Sequence, residues 1–319
     1  MKKLLFYILF LCVFVSYGQR QAANWYFGEN AGINFDSDGN VTSLDGGRLF
    51  TKEGCSSISD DDGNLLFYTD GSTVYTRDHN VMLNGTGLLG NDSSTQSGIV
   101  VPKPNSTTIY YIFTVGSNAT ATGLKYSIVD MTRDSGNGEV VTRNVNLLNQ
   151  CSEKVAAVLK DCETGNIWVI GFSNLSGNST SLLDTFHAFE VSAAGVSNTA
   201  VISEFRGLNI TDARGYLKIS PDGSKVACAS VDFGLDLFDF DVSTGILSNR
   251  LRVTLPGPNN QPYGVEFSPN SQVLYVSGYN DANAFDNNPA SHSSTLVQYN
   301  LNSANVNNSA IVLDDRNLY

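Results

Sequence analysis

The chain of 319 residues carries 19 basic and 31 acidic side chains, which give it a formal net charge of −12. An acidic balance of this size disfavours nucleic acid and anionic membranes as partners, because both repel a negatively charged surface. A chain of this length buries roughly three quarters of its unfolded surface, so neither disulfides nor metals are needed to build a core.

The first eighteen residues have the pattern of a secretory signal peptide: two lysines, an apolar run over residues 4–15, and then small residues. The run is shorter than the about 20 residues that a membrane span requires. A lipoprotein anchored through Cys12 would need small residues before that cysteine, and Leu-Phe-Leu stands there instead. We therefore predict a signal peptide over residues 1–18, cleaved between Gly18 and Gln19, and a secreted or cell-surface mature chain without membrane insertion.

Residues 24–47 precede the first full repeat and contain two β-rich runs separated by an Asp-Gly-Asn turn. Asp and Asn adopt turn geometry easily, and glycine permits positive φ. We interpret this segment as a single N-terminal pair of outer strands that has no inner partners of its own.

Five copies of one unit follow, at intervals of about 45 to 60 residues. Each copy opens with a β-rich run, a turn that carries Gly, Asn or Pro, and a second β-rich run. The second runs begin at Leu65, Ile109, Ile167, Val226 and Val273.

A further pair of runs follows each opening half around another polar turn. In the fourth unit, Leu235, Leu237 and Phe240 alternate with Asp236 and Asp239, which is the period of a half-buried strand. Four strands in about 50 residues are typical of a WD40-like propeller blade, whereas a β-sandwich domain needs about seven strands and some 100 residues. The sequence therefore predicts an all-β fold, a β-propeller of four-stranded antiparallel blades.

The strand-like residues 310–313 complete the fifth unit, six residues before Tyr319. Propellers commonly close by combining outer strands from one terminus with inner strands from the other. We expect five full blades plus the N-terminal outer strand pair, an incomplete six- to eight-bladed ring. Residues 19–319 would then be a propeller domain truncated at its C-terminus, with missing C-terminal domains of the same polypeptide beyond it. The alternative is a complete six-bladed ring with a degenerate closing blade.

Several strings resemble the N-terminal propeller region of large secreted proteins of gliding bacteria. They include NWYFGENAGINF, GYLKISPDGSKVA, YGVEFSPNSQVLYVSG and the long, specific string over residues 53–104. The likeness covers nearly the whole mature chain. Proteins of that family often end in a gliding-motility-associated or type IX secretion sorting domain, a region in which this chain departs from them. The resemblance implies the propeller fold, export and a surface location, and it implies no particular activity.

The usual catalytic motifs are absent from the sequence: it has no G-x-S-x-G elbow, no H-E-x-x-H, no P-loop and no G-x-G-x-x-G after a strand. Its three histidines, His79, His187 and His292, lie in different units. We interpret each as an ordinary surface or strand residue. The sequence therefore predicts no catalytic residue, no metal site and no cofactor.

Two acidic runs invite a calcium interpretation, one beginning at Asp36 and the other at Asp60. Calcium loops place glycine sixth and a bidentate glutamate at the end, and neither run has that spacing. We expect both to be strand-to-strand turns. The polar loop over residues 280–288 lengthens the connection between the second and third strands of its blade, which makes it a candidate functional insertion.

Four cysteines remain after the predicted cleavage: Cys55, Cys151, Cys162 and Cys228. None forms a C-x-x-C pair, so neither a zinc site nor a disulfide framework is predicted. If the chain between Cys151 and Cys162 is extended, the two lie up to about 36 Å apart. Bridged Cα atoms lie within about 7 Å, so this pair should not be bridged.

In a propeller, the connections that enter the inner strands gather at one face around the central channel. These entry positions are polar or charged here, and the candidate binding residues of this funnel are Glu53, Gln96, Glu153, Lys154, Arg214 and Tyr263, with Glu266 just inside. The alternative explanation is that channel mouths are wet and therefore polar.

Two functions fit these patterns. The first is an exported, non-catalytic interaction module that binds a surface protein or a glycan through one face of the disc. The alternative is a polysaccharide hydrolase or lyase that uses Glu53, Glu153 and Glu266, which requires two carboxyl groups about 5 to 10 Å apart.

Overall fold

The computed structural model describes residues 20–117, 122–281 and 292–316. The predicted signal peptide lies outside these residues, as does the 280–288 loop apart from Asn280 and Asp281. In the described part of the chain the helical segments are short 3₁₀ turns: Arg20–Ala22, Asp134–Gly136 and Asn307–Ser309. No helix in that part is long and apolar enough to cross a bilayer.

An N-terminal sheet precedes the repeats. It comprises β1 (Asn24–Phe27), β2 (Ala31–Phe35) and β3 (Val41–Ser43). The sequence predicted two strands here, and the structure has three. The first β-rich run folds into an antiparallel hairpin of β1 and β2, in which Asn24 lies opposite Asn34. Gly28 and Asn30 turn the chain between the two strands with φ values of 56° and 61°. Glycine and asparagine are the residues that adopt this left-handed conformation most easily.

Five antiparallel units follow, with strands arranged in chain order from the axis outwards; four have four strands and the third has five. A single parallel bridge between Leu83 and Glu139 joins the outer strands of the first two units. Blade 1 comprises β4 (Ser56–Ser59), β5 (Leu65–Thr69), β6 (Thr73–Thr76) and β7 (Val81–Thr86). Blade 2 comprises β8 (Gly98–Pro102), β9 (Ile109–Val115), β10 (Leu124–Asp130) and β11 (Glu139–Leu148). Blade 3 comprises β12 (Val155–Leu159), β13 (Ile167–Ser173) and β14 (Thr185–Ser192), with β15 (Gly195–Val196) and β16 (Val201–Glu204) both paired to the outer side of β14.

The last two units have the same order. Blade 4 comprises β17 (Leu217–Ile219), β18 (Lys225–Ser230), β19 (Gly234–Asp241) and β20 (Ile246–Val253). Blade 5 comprises β21 (Gln261–Phe267), β22 (Val273–Asp281), β23 (His292–Asn300) and β24 (Ile311–Arg316). The predicted β-propeller of four-stranded blades is confirmed. The second strands begin at the predicted residues except in blade 4, where β18 begins at Lys225, one residue earlier.

The core consists of apolar clusters between consecutive sheets. Phe186 of blade 3 packs edge-on against Phe238 of blade 4, with ring centroids 5.0 Å apart. Blades 4 and 5 meet through Leu237, Val276 and other buried aliphatic residues. Because strands alternate their side chains between two faces, each inner sheet contributes to the cluster before it and to the cluster after it.

The two acidic runs form turns, as predicted. Asp36 Oδ1 accepts hydrogen bonds from the backbone amides of Asp38 (2.9 Å) and Asn40 (2.8 Å). The side chain and backbone of Asn40 lower the pKa of Asp36, because they stabilise its charged form. In the second turn, Asp60 Oδ1 accepts hydrogen bonds from the backbone amides of Asp62 (3.0 Å) and Asn64 (2.8 Å). Both carboxylates therefore stabilise their turns by accepting hydrogen bonds from backbone amides.

The four cysteines among the described residues are free thiols, including Cys151 and Cys162, whose separation along the chain had argued against a bridge. Cys151 and Cys228 are buried, whereas Cys162 is exposed. Burial raises the pKa of the Cys151 thiol to about 12 and that of Cys228 to about 11. The two buried cysteines therefore act as small apolar residues of the core.

Candidate functional site

The inner strands begin side by side at one face of the disc, and the residues just before them form a connected group. We call this group the polar hub and define it by seven residues: Glu53, Thr95, Gln96, Glu153, Lys154, Arg214 and Tyr263. Five of the six predicted entry residues precede their inner strands as expected. Tyr263 instead lies within β21, which begins two residues earlier at Gln261 and bulges between Pro262 and Val265.

Glu153 lies at the centre of the hub and is buried. Its Oε2 accepts hydrogen bonds from the backbone amide and the hydroxyl of Thr95, both at 3.0 Å. The Thr95 hydroxyl in turn accepts from the Gly215 amide and from the Tyr263 hydroxyl, both at 3.3 Å. One buried threonine therefore connects the entries of blades 2, 3, 4 and 5.

Gln96 extends this network because its side-chain amide forms hydrogen bonds with the backbone of β17. Its Nε2 donates to the Leu217 carbonyl at 3.1 Å, and its Oε1 accepts from the Leu217 amide at 2.9 Å. Its own backbone amide donates to the Glu153 carbonyl at 3.1 Å. The side chain thus pairs with the start of β17 in the manner of a neighbouring peptide group.

Lys154 is fully buried beneath the hub surface. Its Nζ donates to the carbonyls of Ala213 (2.7 Å) and Arg214 (2.9 Å). Burial lowers the pKa of Lys154, because desolvation disfavours its charged form. The structure therefore places two predicted binding residues, Glu153 and Lys154, inside the protein, where they fix the connections of blades 3 and 4.

Arg214 is the exposed residue of the hub, and Glu53, Gln96 and Tyr263 are partly buried. The Arg214 side chain is 49% exposed and is held by Asp212, with Nε 2.9 and 3.0 Å from the two carboxylate oxygens. This ion pair raises the pKa of Arg214. Glu53 is half-buried, and its Oε2 is a buried atom that has no hydrogen-bond partner in the described part of the chain. Burial raises the pKa of Glu53, and the nearby Glu153 carboxylate adds to that effect.

Glu266 is separate from the hub. It lies further along β21, and its Oε2 pairs with Lys218 Nζ of β17 at 2.8 Å, with 62% of its side chain exposed. The structure therefore brings six of the seven predicted site residues into one network and leaves Glu266 in a surface ion pair.

Sequence reasoning missed Thr95 and Asp212. Thr95 belongs to a run of small polar residues just before β8, and a buried polar residue must satisfy its hydrogen-bonding groups inside the protein. Small polar residues before an inner strand were therefore the available signal. Asp212 stands two residues before Arg214, a spacing that permits a local ion pair.

The three histidines do not come together. His79 Nδ1 lies 3.0 Å from the Tyr68 hydroxyl, in an aromatic group with Tyr26. His187 is buried, lies 2.9 Å from the Asn174 carbonyl through Nε2, and has its pKa lowered by burial. His292 begins β23. The described residues contain no group of three or more His, Cys, Asp or Glu that could hold a metal ion.

A groove of 490 Å³ lies at the opposite end of the inner strands. Apolar residues from three inner strands line it, including Ile58, Val100 and Val158, and Asp61 and Tyr110 line it as well. The Asp61 carboxylate accepts a hydrogen bond from the Gln21 side chain. The two ends of the channel therefore differ, with a charged hub at one and a mainly apolar groove at the other.

No protein-family model and no curated protein matches the chain. Among solved structures, hydrazine synthase of Kuenenia stuttgartiensis is similar at 13% identity and a TM-score of 0.47, over 82% of this chain and 64% of that one. A luciferin-regenerating enzyme is similar at 13% identity and a TM-score of 0.44, over 83% and 75% of the two chains. Hsv2 of Kluyveromyces lactis is similar at 11% and 0.43, over 88% and 70%. The chain thus spans less than two thirds of the hydrazine synthase chain, and likenesses this distant carry no argument about function.

Proposed function

We propose that the chain is an exported, non-catalytic interaction module of a bacterial cell-surface or secreted protein, which binds its ligand through the hub face of the disc. The observation that carries the proposal is the exposed Arg214 side chain, flanked by the partly buried Glu53 and Tyr263 and held on a buried hydrogen-bonded network. Arginine and tyrosine are, with tryptophan, the side chains enriched among the residues that dominate binding energy at protein interfaces. A network fixed before binding also reduces the entropy lost on association.

A protein ligand fits the hub better than a glycan, the other class that the sequence leaves open. The hub presents charges of both signs, with Arg214 beside Asp212 and Glu53 close to Arg214. Opposed charges of this kind select a partner surface with the complementary pattern and increase its rate of association.

The polysaccharide hydrolase or lyase has less support. Glu153 is buried and accepts two hydrogen bonds from Thr95, and Glu266 is paired with Lys218. The remaining candidate is Glu53, whose pKa is raised by burial and whose Oε2 has no hydrogen-bond partner among the described residues. Two carboxyl groups with matched roles are needed, so the arrangement favours binding.

The experiment is a screen of the purified chain against arrays of surface proteins and of glycans, followed by affinity measurement for the hits. We expect Arg214→Ala to weaken binding at least tenfold. The matched control is Arg133→Ala, because Arg133 forms a similar exposed ion pair with Asp130 at the other end of the strands. Equal effects of the two substitutions, or hits confined to glycans, would contradict binding of a protein through the hub.

Export is tested separately. The N-terminus of the chain recovered outside the cytoplasm should be Gln19. Retention of residues 1–18 on a chain that stays in the cytoplasm would remove export from the proposal and leave the binding test unaffected.

A further inference from the structure

A pocket of 430 Å³ lies beside the polar hub, between blades 4 and 5. The turn between β18 and β19, the end of β20 and the connection that enters β21 line it. We call it the arginine pocket and define it by Asp232, Phe233, Arg252 and Asn260. Ligand-binding pockets in proteins have volumes of about 300–1,000 Å³, so this one is large enough to receive part of a ligand.

Two hydrogen-bonded residues join the arginine pocket to the hub. Asp232 Oδ2 accepts hydrogen bonds from the Thr211 hydroxyl at 2.6 Å and from the Asp212 amide at 2.9 Å. Asp212 in turn holds Arg214, the exposed residue of the hub. The pocket and Arg214 therefore lie on the same side of the disc, close enough for one ligand surface to contact both.

Two arginines share one carboxylate at this pocket. Arg250 and Arg252 are two residues apart on β20, so the alternation of side chains along a strand places them on one face. Arg250 Nε and Arg252 Nε lie 2.9 and 3.1 Å from Asp236 Oδ1. Asp236 is 2% exposed, whereas the arginine side chains are 30% and 33% exposed. Two guanidinium groups against one carboxylate leave an excess of one positive charge.

Phe233 fixes the direction of these guanidinium groups. The Cζ atoms of Arg252 and Arg250 lie 4.1 and 5.4 Å from the centre of its ring. Arg252 Nη1 also donates a hydrogen bond to the Phe233 carbonyl. Among the described residues the contacts of Arg252 thus use Nε and Nη1, and Nη2 remains available to a ligand. A guanidinium held in this way is well suited to an oxyanion, because its geometry is set before binding.

Partial burial makes the excess charge unfavourable in the free protein. Desolvation lowers the pKa of Arg252; the Asp236 carboxylate opposes this shift, and the neighbouring Arg250 adds to it. An anion at Nη2 would supply the missing negative charge in a partly desolvated environment. Hydrogen bonds between charged groups are stronger in such an environment than in water.

The group that fits this pocket is a single carboxylate. Its one charge balances the excess, whereas a doubly charged phosphate would exceed it and be repelled by Asp232, which also lines the pocket. The Phe233 ring is already stacked against Arg252, so that face is not free to stack on a sugar. The net charge of −12 repels a strongly acidic partner. These features favour one acidic side chain on a neutral or basic protein surface over an acidic glycan.

We propose that the arginine pocket receives the carboxylate of an aspartate or glutamate side chain of the protein ligand, with Arg252 as its hydrogen-bond donor. The identity of the ligand rests on the proposed function, whereas the affinity of the pocket for a carboxylate does not. Arg214 and Arg252 then contact one partner surface at two points, and two linked contacts bind more tightly than either alone.

The pocket itself is tested with a small probe, the α-amide of N-acetylglutamate, whose only charge is the side-chain carboxylate. The α-amide of N-acetylglutamine is the neutral control of the same shape. In heteronuclear NMR spectra, the Nε signal of Arg252, assigned by its disappearance in Arg252→Lys, should shift with the first compound and not with the second. Arg133, in an exposed ion pair elsewhere, reports on unspecific effects. No shift at Arg252, or an equal one at Arg133, would overturn the proposal.

A charge change at the edge of the pocket tests it without altering the arginines. Asn260 is exposed and lines the pocket, so Asn260→Asp adds a like charge near the bound carboxylate. We expect the variant to weaken binding of the glutamate probe and of the protein ligand by roughly tenfold, because like charges at an interface repel. The matched control is Asn302→Asp, the same change in an exposed turn between β23 and β24 at the other end of blade 5. It should bind as the wild type does.

The protein ligand separates this proposal from binding through the hub. If Arg214→Ala weakens binding and Asn260→Asp does not, the hub proposal stands and the pocket proposal is overturned. If the probe shifts the Arg252 signal while Arg214→Ala leaves the ligand bound, the pocket is supported and the hub proposal fails. Acidic glycans whose binding is weakened by Asn260→Asp, without a protein ligand that responds in the same way, would overturn the choice of a protein carboxylate.

Discussion

Replacing Glu153 tests whether the centre of the hub is structural. In Glu153→Gln the acceptor stays but loses its charge, and both hydrogen bonds from Thr95 become neutral ones. Bonds to a charged group contribute about 1.5–3 kcal/mol each and neutral ones about 0.5–1.5 kcal/mol. We therefore expect the free energy of unfolding to fall by about 2 kcal/mol. Glu153→Ala should cost about 4 kcal/mol, because it also leaves the buried Thr95 amide without an acceptor.

The measurement is urea denaturation followed by the emission of Trp168, which is buried in blade 3. Glu266→Gln is the matched control, since it makes the same chemical change in an exposed ion pair, which contributes about 0–1 kcal/mol. A loss below about 0.5 kcal/mol for Glu153→Gln, or one equal to that of the control, would refute the structural role. If Glu153 instead contacts ligand, the substitution would abolish binding at unchanged stability.

Three further predictions concern buried groups. Asp236→Asn should lower the free energy of unfolding by about 3–5 kcal/mol in urea, because the carboxylate is 2% exposed and neutralises two arginines at 2.9 and 3.1 Å. The free energy of unfolding should fall as pH rises from about 9 towards 12. Burial raises the pKa of Cys151 and Tyr68 in the folded chain to about 12, whereas the same groups in the unfolded chain already release their protons in this range. Urea midpoints that stay constant over this range would contradict the prediction. Gly54→Ala should destabilise the hub measurably by thermal melting, because the added Cβ would lie 2.2 Å from the Ser97 amide nitrogen.

The sequence predicted the blades well because its local signals agree with the fold. Leu65, Ile109, Ile167 and Val273 begin second strands where the repeat placed them, each just after a turn built from Asp, Asn, Gly or Ser. Turn chemistry and two-residue alternation are both local properties. The N-terminal hairpin was missed because one apolar run contained the turn, and Gly28 was the signal for it.

Burial in the hub could not be predicted in the same way. Glu153 and Lys154 are adjacent to an inner strand, as Glu53 is, yet only Glu53 reaches the surface. The difference arises because Thr95 of blade 2 and Ala213 of blade 4 supply hydrogen bonds across long separations in sequence. A charged side chain can be buried when such partners exist, and a local pattern does not reveal them.

The two kinds of contact in the disc have different consequences for function. Apolar clusters join each blade to its immediate neighbour, so they would allow the array to bend as a chain of linked sheets. Thr95 instead connects the entries of four blades at one point, through Glu153, Gly215 and Tyr263. The hub therefore holds the strand entries in one fixed arrangement, and Arg214 and Glu53 are presented on it at constant spacing. Under the proposed function, a ligand with complementary charges would bind a surface that is already ordered before binding. A change at the buried Glu153 should therefore lower stability first and weaken binding only as a consequence.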